Sequence, residues 1–373
     1  MTSVNVRQDF YRPTRLEIAL GLLEQNFLKL KSYLVSSSTQ IMAVVKANAY
    51  GHGAGALAGP LEKLGVRWLG VSSVEEGIAL RAAGAQSRIL ILGSVYPFGE
   101  SLEAALEHGL TPTLSSLEAA QELIRVTGVR NSRVNVHIKM ETGMERIGAR
   151  PETCVQIARL LSNSASVTLE GVYTHFASAK DEEATRRQLA EFERGRRLLE
   201  TAGIKVPCVH AANSAAITRY PESQFDLVRS GLALYGGAPG FEPIAALKTC
   251  VVFLKKVPAG RPVSYEGRFV TRRDSVLATL PVGYGDGLPI GAWPRAHVLI
   301  RGRKAPIAGL ITMDMTIVDV TDIADVHVGD DVVVIGRSET QTVTPNDWAG
   351  WAKMSVYQFC CGLGALRLAK IYR

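Results

Sequence analysis

Apolar residues in the first two thirds of the chain fall in short, repeated runs: IMAVV (41–45), RWLGV (67–71), RILIL (88–92), GLTPTL (109–114), RVNVHIK (133–139), SVTLEGVY (166–173), PCVHA (207–211) and FDLVRSGL (225–232). Each has the length of a buried strand and is bounded by turn residues. Helix-period stretches lie between them. SSVEEGIALRAAG and SSLEAAQELIRVTG each open on a serine pair that can cap free N–H groups and each end in glycine, and DEEATRRQLAEFERGRRLLETAG is a longer example. A further helix is predicted at about 16–34, ahead of the first strand. Eight strand–helix units predict a closed parallel (β/α)8 TIM barrel. An open doubly wound sheet seldom needs eight equal repeats, and AYGHGAG matches neither GxGxxG nor a phosphate-binding P-loop.

After YGGAPG (235–240) the spacing changes. KTCVVFLKKV, RDSVLATLPVG, AHVLIRG, TIVDVTD and DDVVVIGR follow at short intervals with no strong helical pattern between them. The fold class is therefore α/β: a barrel over 15–240 and a mainly β C-terminal domain over 241–373. Segment 1–14 falls outside the barrel count and is expected to form a strand packing with the C-terminal domain.

Composition narrows the function. At 373 residues, 47% hydrophobic and 21% charged, the chain is an ordinary globular protein of about two domains. No apolar run approaches the roughly 20 residues of a membrane span, and the first residues lack the apolar core of a secretory signal. Five scattered cysteines with no CxxC pair fit free thiols in a reducing cytoplasm, and suggest neither a disulfide framework nor a metal site. The net charge of +7 is spread without an aromatic-interleaved basic stripe, which argues against nucleic acid and leaves attraction of a small anionic ligand or simply a mildly basic surface.

Active sites of such barrels lie at the C-terminal ends of the strands. Lys46 ends the first strand there. Lys139 and Arg146 follow the fifth, His175 the sixth, Asn213 and Ser214 the seventh, and Arg229, Ser230 and Gly231 belong to the eighth. Singly, each has a bland reading: a solvated lysine, a hydrogen-bonded histidine, a helix cap, an ion pair. Their shared rim and chemical fit favour the functional one. A lysine shielded from water can form a Schiff base with an aldehyde. Ser214 and the backbone N–H groups after it can hold a phosphate, and Gly231 allows close approach of the backbone. The His175 imidazole can lie against a pyridine ring whose nitrogen faces Arg229. Together these parts describe pyridoxal 5′-phosphate.

The motifs AVVKANAYGHG, VHIKMETGMERIG, GVYTHFA, HAANSAA, VRSGLALYG, VSYEG, LPVGYGDG, GLITMDM and MSVYQFC run along nearly the whole chain, and with them the sequence resembles the alanine racemase family of barrel-type (fold type III) pyridoxal phosphate enzymes. The resemblance implies that Lys46 binds the cofactor and is one acid/base, and that Tyr265 is the other, delivered from the partner subunit of a homodimer. It implies Tyr50, Asn213, Ser214, Gly231, Leu232 and Tyr357 as cofactor-binding residues, most of them around the phosphate. Arg229 is implied at the pyridine nitrogen, His175 at the ring and Arg146 at its phenolic oxygen. Lys139 matches a position often carbamylated, and Met313, Tyr284, Asp314 and Arg146 match substrate-side residues. Several positions depart from the family pattern: Leu310 and Met315 in GLITMDM, Glu145 where glycine is usual, Glu266 after the tyrosine, and a loose C-terminal ALRLAKIY. None removes a catalytic group.

Racemisation requires a Cα proton to leave one face and return on the other, so two bases on opposite faces are the economical arrangement. A guanidinium stays protonated, so Arg229 should leave the ring nitrogen without a proton and suppress side reactions such as transamination. The implied activity is cytoplasmic interconversion of L- and D-alanine, supplying D-alanine for peptidoglycan. Three alternatives remain. One is a racemase of other or broader specificity, serine first. A barrel-type basic-amino-acid decarboxylase is disfavoured because CxSxD is missing. A non-catalytic pyridoxal phosphate carrier is disfavoured by the second domain and Tyr265.

Overall fold

A computed structural model describes residues 11–363 and 367–373. They form two compact units, one spanning Leu23–Phe241 and the other combining the residues up to Leu22 with Glu242–Arg373. Among the described residues no helix is long and apolar enough to cross a membrane.

The described chain begins with strand β1 (Arg15–Ile18) and helix α1 (Leu20–Ser32). The helix expected from residue 16 thus starts later, because Leu16 and Ile18 alternate with Arg15 and Glu17 and are drawn into a sheet. The expected N-terminal strand falls largely on residues 1–10, outside the described residues, and residues 11–14 are not in a strand.

Eight barrel strands follow: β2 (Gln40–Val44), β3 (Trp68–Val71), β4 (Arg88–Ile91), β5 (Thr113–Leu114), β6 (Val134–Lys139), β7 (Val167–Tyr173), β8 (Cys208–His210) and β9 (Leu227–Ser230). All the pairings are parallel, in the orders β4-β3-β2-β9 and β5-β6-β7-β8. Two isolated parallel bridges, Leu90 with Thr111 and Asn213 with Arg229, join the two sheets into a closed barrel. Every run read from the sequence as a barrel strand is one. Met42, Trp68, Leu90, Tyr173 and Leu227 fill the interior.

The helices between the strands are capped as the sequence indicates. Ser73 accepts from Glu76 N–H, Ser116 from Ala119 N–H and Asp181 from Ala184 N–H. One end is corrected: the helix opening at Leu117 does not stop at Gly128 but runs to Arg130, where Asn131 takes the left-handed conformation (φ 48°) that closes it.

The second unit is built mainly of strands. β1 lies between Ala245–Cys250, antiparallel to it, and Ala369–Tyr372, parallel to it, with Asp331–Ser338, His297–Ile300 and Arg303–Pro306 continuing the sheet. KTCVVFLKKV, read as one strand-like stretch, divides at Val251 and Val252, and its second half (Phe253–Val257) joins a separate sheet with Ser275–Leu280 and Thr316–Asp319. Two short helices, Pro345–Ala352 and Val356–Gly362, depart from the helix-poor expectation. They form because Trp348 is wholly buried between its indole bond to the Val334 carbonyl (2.9 Å) and the stacked ring of Phe359.

Candidate active site

Lys46 follows β2 and is half-buried. The chain then turns in an unusual way. Ala47, Asn48, Ala49 and Tyr50 all have φ between 51° and 54°, a left-handed turn made without glycine. Such a conformation costs about 1–2 kcal/mol per L-residue, so it must be held from outside. Glu76 does this with both carboxylate oxygens, accepting from Ala47 N–H (2.6 Å) and Ser72 N–H (2.7 Å). The Asn48 side chain accepts from Ala54 N–H (2.8 Å), and Gly51 N–H closes back on the Ala47 carbonyl (3.0 Å). Small side chains suit Ala47 and Ala49, where a bulky one would strain the turn further.

Inside the barrel the inward residues of neighbouring strands meet. Arg229 is buried and donates to His210 Nδ1 (2.9 Å), the Thr174 carbonyl (2.6 Å) and the Ala211 carbonyl (2.9 Å), with His175 Nδ1 at 3.5 Å. Burial draws its pKa down to about 10, which leaves it cationic at neutral pH. His175 is pushed down to about 3, first by burial and then by Arg229, Lys139, Arg146 and Lys46, so it is a neutral ring. Lys139 is pushed down to about 8 by burial and by Arg146 and Arg229. Its Nζ lies 5.8 Å above the Tyr173 ring, on which Arg229 and His210 also pack. The mutual effects among Lys46, Lys139, Arg146, His175 and Arg229 mark one basic cluster suited to an anion. Arg146 itself is exposed, on a loop tied down by Glu141, which accepts from Gly143 N–H and Met144 N–H at 2.6 Å each. Glu145 in this loop has φ 50°, which explains why glycine is usual there; its carboxylate pairs with Arg150.

At the end of β8 Asn213 is the helix cap, accepting from Ala215 and Ala216 N–H (3.2 and 3.1 Å), and Ser214 is the first helical residue. Asn213 therefore spends its side chain on the turn. The Ser214 hydroxyl accepts from Gly231 N–H (3.1 Å) and Ala233 N–H (3.4 Å) across the gap to β9. A Cβ at Gly231 would lie 2.5 Å from the Tyr50 hydroxyl, so Tyr50, Ser214 and Gly231 converge. Leu232 is adjacent and half-buried.

In the other unit Tyr265, Tyr284 and Met313 all present exposed rings or side chains, Tyr265 at 69%. Tyr265 sits between Ser264 and Glu266, both at positive φ (63° and 60°), and Ser264 Oγ donates to the Leu310 carbonyl (2.7 Å). Tyr284 N–H and Gly285 N–H donate to the carbonyls of Thr312 and Met313 (2.9 Å each). Tyr265, Tyr284, Met313 and Asp314 thus belong to one set of linked loops. The link has an unforeseen anchor: buried Asp286 accepts twice from Arg12 (2.9 and 3.0 Å), and Arg367 bridges it to Asp314 (3.6 and 2.7 Å). Tyr357 is exposed on the helix Val356–Gly362.

A family model for the N-terminal domain of alanine racemase matches residues 18–239, and one for its C-terminal domain matches 244–372. The chain belongs to the alanine racemase family. An alanine racemase of Halothermothrix orenii is 41% identical over 94% of this chain and 95% of its own length, and one of Symbiobacterium thermophilum is 42% identical over 98% of both. The solved alanine racemase of Clostridium difficile 630 superposes with a TM-score of 0.91 at 34% identity, covering 98% of this chain and 97% of the other. Within an alanine racemase framework, Leu310 and Met315, two departures from pattern, act here through backbone carbonyls, toward Ser264 and Thr312. Glu266 pairs with Arg268 at the surface. Sequence reading gave no role to Glu76, Tyr173, His210, Asp286 or Arg367. For Tyr173 and His210 a signal existed: each lies on the inward face of its strand, two residues before His175 and Ala212.

Proposed function

We propose that the chain is a pyridoxal 5′-phosphate-dependent racemase interconverting L- and D-alanine in a homodimer with shared active sites. The observation that carries the reading is the buried Arg229 guanidinium beside neutral His175 in the same basic cluster as Lys46. The donors fit the cofactor. Gly231 N–H and Ala233 N–H, already gathered on Ser214 Oγ, and the Tyr50 hydroxyl would receive the phosphate. Arg229 would face the ring nitrogen and His175 the ring, with Leu232 and Tyr357 completing the phosphate end and Arg146 at the phenolic oxygen. When bound, the cofactor withdraws electrons from the amino acid and makes its Cα proton removable.

The protein's own groups handle that proton. Lys46 Nζ holds the cofactor and serves one face of the substrate; Tyr265 Oη serves the other. Removal by one and return by the other inverts the centre, and neither group has to travel around the ring. Arg229 has no lone pair to offer, so it would donate to the ring nitrogen and keep a proton off it. The Lys139 amine, lowered to about 8, is neutral far more often than an ordinary lysine, which supports carbamylation, since only a neutral amine attacks CO2. The resulting carboxylate would steady Arg146 beside it.

The exposure of Tyr265, Tyr284, Met313 and Met315 supports their being covered by a second copy, whose barrel they would serve. The barrel would be the cofactor-binding domain and the mainly β domain the donor of the tyrosine, in the cytoplasm, with D-alanine bound for peptidoglycan. The alanine racemase kinship favours alanine over serine. The test is purified protein offered a panel of L-amino acids: L-alanine should give the fastest appearance of the D-form, and an absorbance band should be bleached by borohydride. A colourless protein, or a faster rate with serine, would overturn the cofactor or the substrate respectively.

A further inference from the structure

Arg229 is the first member of a buried chain that crosses the barrel interior. A guanidinium only donates, so His210 Nδ1, 2.9 Å from Arg229 Nη1, must accept, and its lone pair must be free. His210 is therefore neutral, with its proton on Nε2. That N–H meets His137 Nδ1 at 2.8 Å, which must accept in turn. The His137 proton is then also on Nε2. It faces Glu170 Oε2 at 3.7 Å, about 0.5 Å beyond the usual limit of an N–H···O bond. Both atoms are buried, and neither has a hydrogen-bond partner. The other Glu170 oxygen takes the Arg88 guanidinium and, more weakly, the Asn135 amide (3.4 Å).

The backbone is built for this arrangement. The pairing of β6 with β7 slips between Val136 and His137, so that Val136 pairs with Leu169 and His137 with Gly171, leaving Glu170 as the extra residue of a bulge. A bulge re-aims a side chain, and here it aims a carboxylate into the barrel. Gly171 makes room for the imidazole: a Cβ there would lie 2.5 Å from His137 Cε1. Trp68 packs edge-on against His137, and Tyr173 stacks on His210. Charges agree with the direction. Burial opposes ionisation of Glu170, but the His137 N–H and Arg88 outweigh it and hold the carboxyl below its ordinary value. Burial and Arg229 keep both imidazoles neutral, with Arg88 adding to the effect at His137 and His137 to that at His210.

We propose that Glu170 is a positioning residue for the racemase: through His137 and His210 it fixes the tautomer that lets Arg229 be held as a donor. The role of Arg229 at the cofactor rests on the function proposed above; the direction of the chain does not. If His137 lost its preference for Nε2–H, its Nδ1–H would oppose the His210 proton, the His210 tautomer would reverse, and two N–H groups would collide at Arg229.

The test is 15N spectroscopy of the imidazoles in histidine-labelled holoenzyme, assigned by single histidine substitutions. His137 and His210 should be neutral and protonated at Nε2 from about pH 7 to 9. A proton on Nδ1 of either ring, or a cationic ring, overturns the proposal whatever the enzyme's activity. In Glu170→Leu the His137 signal should move toward a mixture of tautomers and kcat should fall about tenfold, with KM within about twofold. Glu170→Gln keeps an acceptor oxygen and should restore most of both. Unchanged signals and kcat in Glu170→Leu, or equal damage in Glu170→Gln, refute it. Should Glu170→Leu not fold, Glu170→Ala is read in the same way. Correct tautomers in a protein that racemises nothing would instead count against the proposed function alone.

Discussion

Gly231→Ala probes the convergence of the Lys46 turn with the end of β9. An added Cβ would lie 2.5 Å from Tyr50 Oη, 2.9 Å from Cζ and 3.0 Å from Cε2. The Tyr50 ring has little freedom to yield. It is buried, its backbone is in the left-handed turn, and it packs at 5.4 Å against Tyr235, whose hydroxyl is tied to the Val44 carbonyl at 3.0 Å. Overpacking of this kind costs about 1–3 kcal/mol. Because the displaced group belongs to the proposed phosphate cradle, the cost should fall on the loaded state, weakening the cofactor about 5- to 150-fold. Titrating resolved apoprotein with pyridoxal 5′-phosphate and following absorbance measures this directly, with melting of the apoprotein separating a folding defect. An affinity unchanged within about twofold, with the melting temperature also unchanged, would mean that Tyr50 and Gly231 do not jointly frame the site.

The buried imidazoles predict acid sensitivity. Their pKa values are depressed in the folded state, so below about pH 6.5 the unfolded chain binds protons that the native one refuses, and stability falls with pH. Most of this loss should fall between about pH 7.5 and 5, and a denaturant midpoint that does not change over that range would contradict this. Lys139→Ala should lower kcat/KM, and added acetate should recover part of it; loss without recovery argues against a carbamate. Mild native mass spectrometry of the wild type should find the mass of one labile CO2. Asp286→Ala strips the carboxylate that ties Arg12 and Arg367 to the loop of Tyr284. With Arg12 partly exposed the loss should be about 2–3 kcal/mol, less than for a fully buried pair, and an unmoved urea midpoint would show the anchor to be unimportant.

The barrel was legible because all eight strands are apolar runs of strand length, and capping serines mark where two of its helices start. Helix ends were less so. Gly128 looked like a stop, yet the chain keeps its hydrogen bonds to Arg130 and uses Asn131, since either residue tolerates positive φ. The left-handed turn Ala47–Tyr50 has no periodic signature. It depends on Glu76, a distant residue whose spacing from Lys46 carries no message. The bulge at Glu170 is equally silent, as a one-residue slip changes no composition. Arg367 lies in the loose C-terminal ALRLAKIY, and only its bridge between Asp286 and Asp314 reveals its use. The rim residues were found from strand ends alone; the inward His137, Tyr173 and His210 beneath them needed the barrel's alternation to be followed one step further down.

Mixing two inactive variants, Lys46→Ala and Tyr265→Phe, after denaturation and refolding tests the shared two-base site most directly. If each site takes Lys46 from one subunit and Tyr265 from the other, half of the sites in mixed dimers are intact, and random pairing should recover about a quarter of wild-type racemase activity. Activity that stays at the level of the separate variants, with mixed dimers shown to be present, would mean that lysine and tyrosine do not meet across a subunit boundary.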